Sequence, residues 1–435
     1  MRAILRGIAF GVALSLCACA DVAPFECADD SACGSGRCEA SGACSFADDS
    51  CVVGWRYGAA GPADRADRCV GEEMGQIAQL GAGSEHTCAR GADGRVWCWG
   101  NDLHGALGEL GALGQSADGP IALPMPAIAD LDGAEWTECA VAAGQVWCWG
   151  EGTSGELGRG TTSDDATPAA IPGLANIVDV DMGEKHACAL DSAGAIWCWG
   201  DNKDGETGDN AATATAPVLA PVQVAAVPPA RSLTAGGQNT CALTMAGEAW
   251  CWGRNNNGQL GREDADRAAP APTPGFAGAA QLAIGGNHIC ARFDDGHVTC
   301  AGMDDHGQLG NGDATATEMH APVAVEGITD AVELVALDWA NCVRRRDGQV
   351  VCWGEGDRGE LGSGTANRTS PGDPVPLPSA AIALTAGEHH ACAITADGCV
   401  WCWGADTAGQ LCDGPGLGTG VRPALIGACT RSAAP

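Results

Sequence analysis

The sequence predicts an all-β fold, a seven-bladed β-propeller, from a repeated cysteine pair, its period and the apolar character of both faces of the repeat. Seven times in 435 residues, two cysteines flank a short stretch and run into a glycine, usually through tryptophan. The second cysteines recur at intervals of about 50 residues, a period typical of stacked or closed arrays of supersecondary units. The predicted pairs are Cys88 with Cys98, Cys139 with Cys148, Cys188 with Cys198, Cys241 with Cys251, Cys290 with Cys300, Cys342 with Cys352, and Cys392 with Cys402.

The spacing within each pair predicts a β-hairpin closed by a disulfide. In six units the cysteines lie ten residues apart, and a glycine follows the midpoint by one place, as Gly194 does. A three-residue hairpin loop requires a left-handed conformation at its last residue, which glycine adopts without penalty. The second unit has a spacing of nine, which predicts a two-residue loop at Ala143-Gly144. In both cases the cysteines face each other across two strands, within reach of a disulfide.

Strand alternation assigns the two faces of each hairpin. Cys188 and Ile196 point to one face, while Trp197 and Trp199 point to the other. Because both faces are apolar, both must be covered. A propeller blade between two neighbours meets this demand, with the indoles of one blade on the disulfide face of the next.

The composition explains why disulfides are needed. The chain contains 14 Trp, 5 Phe, 1 Tyr and 65 Gly, so each unit has few large side chains for a core. A bridge that closes a loop of about ten residues contributes roughly 2–3 kcal/mol. Such bridges persist only in an oxidising compartment. Structural zinc is disfavoured, because it uses short Cys-x2–4-Cys hooks brought together in fours.

Residues 1–19 are predicted to be a signal peptide. Arg2 and Arg6 precede an apolar run, residues 8–16, that is too short to span a bilayer. The run ends in Leu-Cys-Ala-Cys19, which resembles a bacterial lipobox and implies lipidation of Cys19. Plain cleavage near Ala20 is the alternative. We therefore expect an exported protein, either a lipoprotein of the outer membrane or cell surface or a secreted protein.

Residues 20–70 are predicted to form a small disulfide-stapled module or spacer, and residues 71–435 the propeller. So short a segment cannot bury a core of its own without such bridges. The connectivity of its cysteines is open, as is that of three further cysteines near the end of the chain, which are candidates to lock the ring. These cysteines are Cys27, Cys33, Cys38, Cys44, Cys51, Cys69, Cys399, Cys412 and Cys429.

Three short motifs recur around the cysteine pairs. They are Gly-x-x-His before the first cysteine, Gly-x-Val-Trp-Cys-Trp-Gly around the second, and Gly-Gln-Leu-Gly after it. Together they resemble the repeat of the regulator of chromosome condensation family over roughly residues 76–430. The resemblance implies a seven-bladed propeller of four-stranded blades. The paired cysteines depart from the eukaryotic pattern, in which small or hydroxyl residues usually stand at those places.

The charge argues against the founding member's activities. That protein is a nuclear nucleotide exchange factor for a small GTPase and binds chromatin. Here 55 acidic residues stand against 23 basic ones, a net charge of −32, which repels phosphate backbones. We expect no nucleic-acid partner. Secreted bacterial relatives, some of which inhibit β-lactamases with one face of the ring, imply a protein-binding scaffold instead.

One position of the repeat varies while its surroundings are repeated. It lies three residues before each first cysteine, and equivalent positions of a propeller share one rim. Tryptophan, which is enriched at interface hot spots, occupies it in units two and six. We interpret it as a partner-binding rim; the alternative is that the two tryptophans fill the core where the histidine is missing. The rim residues are Glu85, Trp136, Lys185, Gln238, Asn287, Trp339 and His389.

No metal, cofactor or catalytic residue is predicted. His86, His186, His288 and His390 recur at one place, but they fall in alternate units, so a hydrogen bond to a neighbouring loop is expected rather than a metal ring. The acidic turns at residues 201–204 and 304–305 lack calcium-loop spacing and are expected to be solvated. No hydrolase elbow, zinc-protease helix or phosphate loop is present.

The resulting expectation is a non-catalytic, monomeric scaffold of the bacterial cell envelope or exterior that binds a protein partner. A glycan-binding surface protein is the first alternative. A polysaccharide-active enzyme is the second; it predicts carboxylates with raised pKa values at the channel mouth, whereas a mouth of Gly and Ala counts against it.

Overall fold

The computed structural model describes residues 37–38, 44–47, 55–57, 76–108, 117–209, 216–263, 267–313, 318–364, 366–411 and 418–426. In this part of the chain, no helix has the length and apolar character needed to cross a membrane. The predicted signal peptide and Cys19 lie outside the described residues.

A small antiparallel sheet precedes the propeller. Its strands are β1 (Arg37–Cys38), β2 (Cys44–Ala47) and β3 (Trp55–Tyr57), in the order β1-β2-β3. They lie within the segment predicted to be a cysteine-rich module, whose connectivity stays a prediction.

Seven further sheets follow, each built from strands that are consecutive in the chain. Blade 1 contains β4 (Ile77–Ala82), β5 (His86–Gly91), β6 (Val96–Gly100) and β7 (Ala117–Ala122). Blade 2 contains β8 (Asp130–Ala134), β9 (Thr137–Ala142), β10 (Gln145–Gly150) and β11 (Asp165–Ala170). Blade 3 contains β12 (Ile177–Met182), β13 (His186–Asp191), β14 (Ile196–Gly200) and β15 (Val218–Gln223). Blade 4 contains β16 (Ala230–Gly236), β17 (Asn239–Thr244), β18 (Ala249–Arg254) and β19 (Arg267–Pro272). Blade 5 contains β20 (Gln281–Ile284), β21 (His288–Arg292), β22 (His297–Met303) and β23 (Glu318–Thr329). Blade 6 contains β24 (Ala331–Ala336), β25 (Ala340–Arg345) and β26 (Val350–Gly354). Blade 7 contains β27 (Ala381–Ala386), β28 (His390–Thr395), β29 (Val400–Asp406) and β30 (Gly418–Ile426).

The first strand of each blade lies innermost and packs against the first strands of both neighbours. The ring closes where β27 of blade 7 packs against β4 of blade 1. Six blades have four antiparallel strands, and in blade 6 a single bridge between Gly354 and Arg368 stands beside the three described strands. The predicted seven-bladed propeller is therefore confirmed.

Each blade carries the disulfide that the cysteine spacing predicts. In every blade the two cysteines are direct cross-strand partners on the second and third strands. Their Cα atoms lie 4.0 Å apart in blade 1, 4.2 Å apart in blade 2 and 4.1 Å apart in the other five blades. The confirmed bridges, in blade order, join Cys88 to Cys98, Cys139 to Cys148, Cys188 to Cys198, Cys241 to Cys251, Cys290 to Cys300, Cys342 to Cys352, and Cys392 to Cys402.

The hairpin loops between the bridged cysteines are also as predicted. Gly194 has φ 87°, and Ala143 and Gly144 have φ 50° and 79° in the two-residue turn. Of the three further cysteines near the end of the chain, Cys399 is disulfide-bonded too. Cys412 and Cys429 lie outside the described residues, so the lock on the ring stays a prediction.

The second tryptophan of the Trp-Cys-Trp motif joins neighbouring blades. Trp199 of blade 3 packs with Cys139 and Cys148 of blade 2, and its indole nitrogen donates to the backbone oxygen of Glu156, 2.6 Å away. Five other blades repeat this arrangement. The indole therefore lies on the disulfide face of a neighbouring blade, but this neighbour is the preceding blade and not, as predicted, the next one. Each indole therefore buries apolar surface and satisfies its polar atom at once.

Blade 5 departs from this rule because Ala301 replaces the tryptophan. A 3-10 turn, Pro274–Phe276, places Phe276 in the same cluster as Ala301 and the blade 4 disulfide between Cys241 and Cys251, fully buried. The aromatic ring of Phe276 therefore covers the disulfide face that an indole covers elsewhere.

Candidate functional site: the acidic channel mouth and its rim

The seven inner strands enclose an axial channel of about 620 Å³. At one end of the channel, the turn between the first and second strand of each blade approaches the axis. We call this end the mouth, and the side of the ring that carries it the rim face. The mouth positions, one per blade, are Ser84, Glu135, Glu184, Gly237, Gly286, Asp338 and Glu388.

Four of these seven positions carry carboxylates that act on one another. Burial raises the pKa of Glu135 to about 8, with Glu184 and Glu388 reinforcing the shift and Lys185, 3.7 Å away, opposing it. Burial also raises the pKa of Asp338 to about 7, again reinforced by Glu388 and Glu184. The pKa of Glu388 is raised by burial, although the Ser84 hydroxyl donates a hydrogen bond of 2.8 Å to it. The mouth is thus a shared acidic site that favours protons or an incoming cation.

The mouth has one feature that the enzyme alternative predicts and one that counts against it. Carboxyls with raised pKa values are present at the mouth positions of blades 2, 6 and 7. Gly237 and Gly286 occupy the same position in blades 4 and 5, so one side of the mouth has no side chain. The carboxylates therefore form an arc that is open on that side.

Acidification from pH 8.5 to 7 is expected to raise the melting temperature. A carboxyl with a folded-state pKa above its unfolded value takes up a proton on folding, so its stabilisation is complete below the ordinary pKa and is lost as pH rises through the folded one. For Glu135 the loss runs from its ordinary pKa of 4.5 up to about pH 8, and for Asp338 from 3.8 up to about pH 7. Thermal melts monitored by circular dichroism would measure it. Glu135→Gln should flatten the dependence, and an unchanged slope in that variant would contradict this assignment.

Below the mouth, side chains of one inner strand bind the backbone of the next. The amide of Met182 in blade 3 donates to a carboxylate oxygen of Asp132 in blade 2, at 2.8 Å, and the amide of Leu334 donates to Gln281 at 3.1 Å. Burial raises the pKa of Asp132 well above its ordinary value. These contacts hold adjacent blades in register, so the channel-wall acids are structural.

All seven predicted rim residues lie on the rim face, and all are half-buried. Several contact the mouth or the loops beside it. Gln238 donates to Glu184 at 3.0 Å and accepts from Arg254 at 2.7 Å. Asn287 accepts from Asn257 at 3.1 Å. Their role in binding stays a prediction.

The rim tryptophans do not belong to the hydrophobic clusters of buried residues, which argues against core filling. Trp136 packs against His104 and Trp339 against His306, with ring centroids 5.9 and 5.2 Å apart. His104 in blade 1 and His306 in blade 5 occupy equivalent positions in the turn after the third strand. Each lies in the blade that precedes the blade of its tryptophan. Sequence reasoning missed this coupling, although the shared Asp-x-His-Gly pattern before each tryptophan was available.

The recurring histidines are buried inter-blade links. His86 contacts Glu138 at 3.0 Å, His186 contacts Thr240 at 2.8 Å, and His288 contacts Asn341 at 3.0 Å. His390 contacts Thr87 at 2.8 Å, across the ring closure. A hydrogen bond to a neighbour is confirmed, but the partner is a strand residue of the next blade rather than a loop. Cys88, beside His86 and Glu138, is held in its disulfide.

The expectation of solvated acidic turns is wrong for Asp304. This side chain is 2% exposed and accepts from the backbone amide of Leu309 at 2.9 Å. The Asp102 carboxylate likewise accepts a hydrogen bond from the backbone amide of Leu107, at 3.0 Å. The carboxylate closes the turn that presents the Gly-x-Leu-Gly motif, which explains its burial.

Comparisons with known proteins agree with this architecture. Human WBSCR16 and yeast RCC1 (Prp20) are among the solved structures that resemble the fold. Human WBSCR16 has 20% sequence identity and a TM-score of 0.67, covering 74% of this chain and 87% of its own. Yeast RCC1 (Prp20), solved bound to Kap60, has 20% identity and a TM-score of 0.66, covering 81% of this chain and 85% of its own. A comparison with curated proteins found no match.

Family models give the more specific result. The model of the RCC1-like domain matches residues 31–377, which include the first six cysteine pairs. The model of the regulator of chromosome condensation (RCC1) repeat matches residues 381–410, which include the seventh. The two matches together cover most of the chain. The chain belongs to the RCC1-like domain family.

Proposed function

We propose that this protein is a non-catalytic binding module, exported to the bacterial cell envelope or exterior, whose rim face binds a partner protein. In this proposal a basic segment of the partner enters the acidic mouth, while Trp136 and Trp339 contact its apolar side chains. The observation that carries the proposal is the presence of four carboxylates and two half-buried tryptophans on one face of the ring.

Electrostatics supports a cationic partner segment. Glu184 and Glu388 lie close enough to Glu135 to raise its pKa, so an ammonium or guanidinium group between these carboxylates would relieve their repulsion. Lys185 already plays this part for Glu135 on one side. The net charge of −32 adds long-range attraction for such a partner.

The tryptophans support a protein partner. Trp136 and Trp339 are held by His104 and His306 rather than by a core, so their half-exposed rings are pre-positioned for contact. Rigid aromatic anchors of this kind dominate many interfaces. The yeast RCC1 structure bound to Kap60 shows that a similar ring can occur in a complex with a protein.

The double variant Trp136→Ala/Trp339→Ala is expected to lose partner binding by at least about tenfold, since each interface anchor contributes about 1–2 kcal/mol or more. The measurement is capture of envelope proteins by the tagged protein, quantified by mass spectrometry and then by titration of the captured partner. The matched control is Trp197→Ala/Trp250→Ala, which removes two half-buried tryptophans. Both lie near the end of their blades that points away from the rim face.

Equal recovery of every partner by the rim variant and wild type would remove the rim from consideration. Binding through the mouth should also weaken as salt rises. Retention on polysaccharide without a protein partner would favour the glycan-binding alternative instead.

A further inference from the structure

The junction between blades 6 and 7 brings together three side chains with metal-ligating atoms. Glu355 follows the Trp-Gly of blade 6, Glu360 lies in its Gly-Glu-Leu-Gly turn, and His389 is the rim residue of blade 7. One ligand atom from each of the three lies within 4.8 Å of the others. Zinc ligands bound at about 2.0–2.2 Å lie about 3–4 Å apart, so small side-chain rotations suffice to close this set on one ion.

Two polar atoms in this cluster have no hydrogen-bond partner. Glu360 is 1% exposed; one carboxylate oxygen accepts from the Arg358 amide at 2.8 Å, while the other, Oε1, is unpartnered. Nδ1 of His389 is also buried without a partner. Buried polar atoms are nearly always satisfied, so two unpartnered atoms on side chains of one cluster point to a ligand.

The repeat supplies an internal comparison at the junction of blades 2 and 3. There the same three positions hold Glu151, Glu156 and Lys185. Burial raises the pKa of Glu156, and the charge of the nearby Lys185 ammonium opposes that shift. Burial lowers the pKa of Lys185, but the charges of Glu135, Glu151, Glu184 and Glu156 outweigh burial and raise it. A pair of glutamates at this junction is therefore accompanied by a cation.

In blade 7 the imidazole of His389 stands where blade 3 has the Lys185 ammonium. An imidazole nitrogen offers a lone pair to a metal. The Arg358 charge lies near this imidazole. Arg358 is exposed and can turn away into solvent.

We propose that Glu355, Glu360 and His389 bind one divalent transition-metal ion, with zinc as the best match, at the junction of blades 6 and 7. One imidazole nitrogen and two carboxylate oxygens are accepted zinc ligands, and three protein ligands leave a fourth position for water or a partner's side chain. His306 lies beside the outer carboxylate, with Nε2 3.9 Å from an oxygen of Glu355. The ion would cross-link the two blades on the rim face.

The test is zinc titration of the full chain against a chromogenic chelator, with free thiols alkylated and excess Mg²⁺ present to occupy non-specific carboxylates. Wild type is expected to bind one zinc ion more than His389→Lys. This substitution copies the Lys185 arrangement, so the fold should tolerate it. Glu360→Gln is expected to weaken the site at least about 100-fold, since even outer-shell changes weaken metal sites about 10–100-fold.

Glu156→Gln is the matched control, because it removes the equivalent carboxylate where no histidine is present; it should bind zinc as wild type does. The proposal is overturned if wild type binds no zinc under these conditions. Equal stoichiometry and affinity in wild type and His389→Lys would overturn it as well. Thermal melts provide a second readout: zinc should raise the melting temperature of wild type and of Glu156→Gln, but not of His389→Lys.

Discussion

Replacing Phe276 by alanine is expected to lower the free energy of unfolding by about 3–5 kcal/mol, the usual range for a buried phenylalanine. Its ring is fully buried in one cluster with Ala301 and the disulfide of Cys241 with Cys251, at the blade junction where alanine replaces the second tryptophan of the motif. Denaturant unfolding followed by circular dichroism would measure the loss. Phe293→Ala, which truncates a half-buried ring at the edge of the same cluster, should cost less.

A swap of residues tests the reason for this effect. Ala301→Trp alone should destabilise the protein, because the indole would compete with Phe276 for one space. Combined with Phe276→Ala, the same substitution should recover at least half of the lost stability, with the new indole nitrogen donating to the backbone oxygen of Gln259. If the double variant is no more stable than Phe276→Ala, Phe276 does not occupy the place of the missing indole.

The repeat made the fold predictable, because every blade must bury the same two apolar faces. The spacing of Cys188 and Cys198, with Gly194 between them, fixed a register that the structure reproduces. Phe276 was not predictable in this way. It lies in an irregular segment between blades, so no periodic signal marks it.

The site was predictable only in part. The rim positions follow from counting back from each first cysteine, and the mouth carboxylates stand just one residue earlier. A comparison of this position among the seven repeats would have revealed Glu135, Glu184, Asp338 and Glu388. By contrast, the meeting of His389 with Glu355 and Glu360 depends on how one blade packs on the next, which the spacing within a blade does not specify.

Refolding without disulfides is expected to fail completely, the largest effect predicted for this chain. Each bridge closes a hairpin of about ten residues and contributes roughly 2–3 kcal/mol. Seven such contributions total about 14–21 kcal/mol, which matches or exceeds the roughly 5–15 kcal/mol by which folded domains are usually stable. The measurement is circular dichroism and tryptophan fluorescence after dilution from denaturant, with and without reductant. Native-like signals in the reduced sample would show that packing alone suffices.

A single-bridge variant separates the local effect from the collective one. Cys188→Ala/Cys198→Ala should lose about 2–3 kcal/mol but still form the ring, because the bridges of the six other blades and the packing of Trp199 and Trp252 around that blade remain. Complete failure of this variant would mean that the disulfide surface itself, on which Trp252 packs, is needed for the blades to dock. The contrast between the two experiments therefore distinguishes restriction of the unfolded chain from packing in the folded one, and it does so at a bridge far from the proposed metal junction.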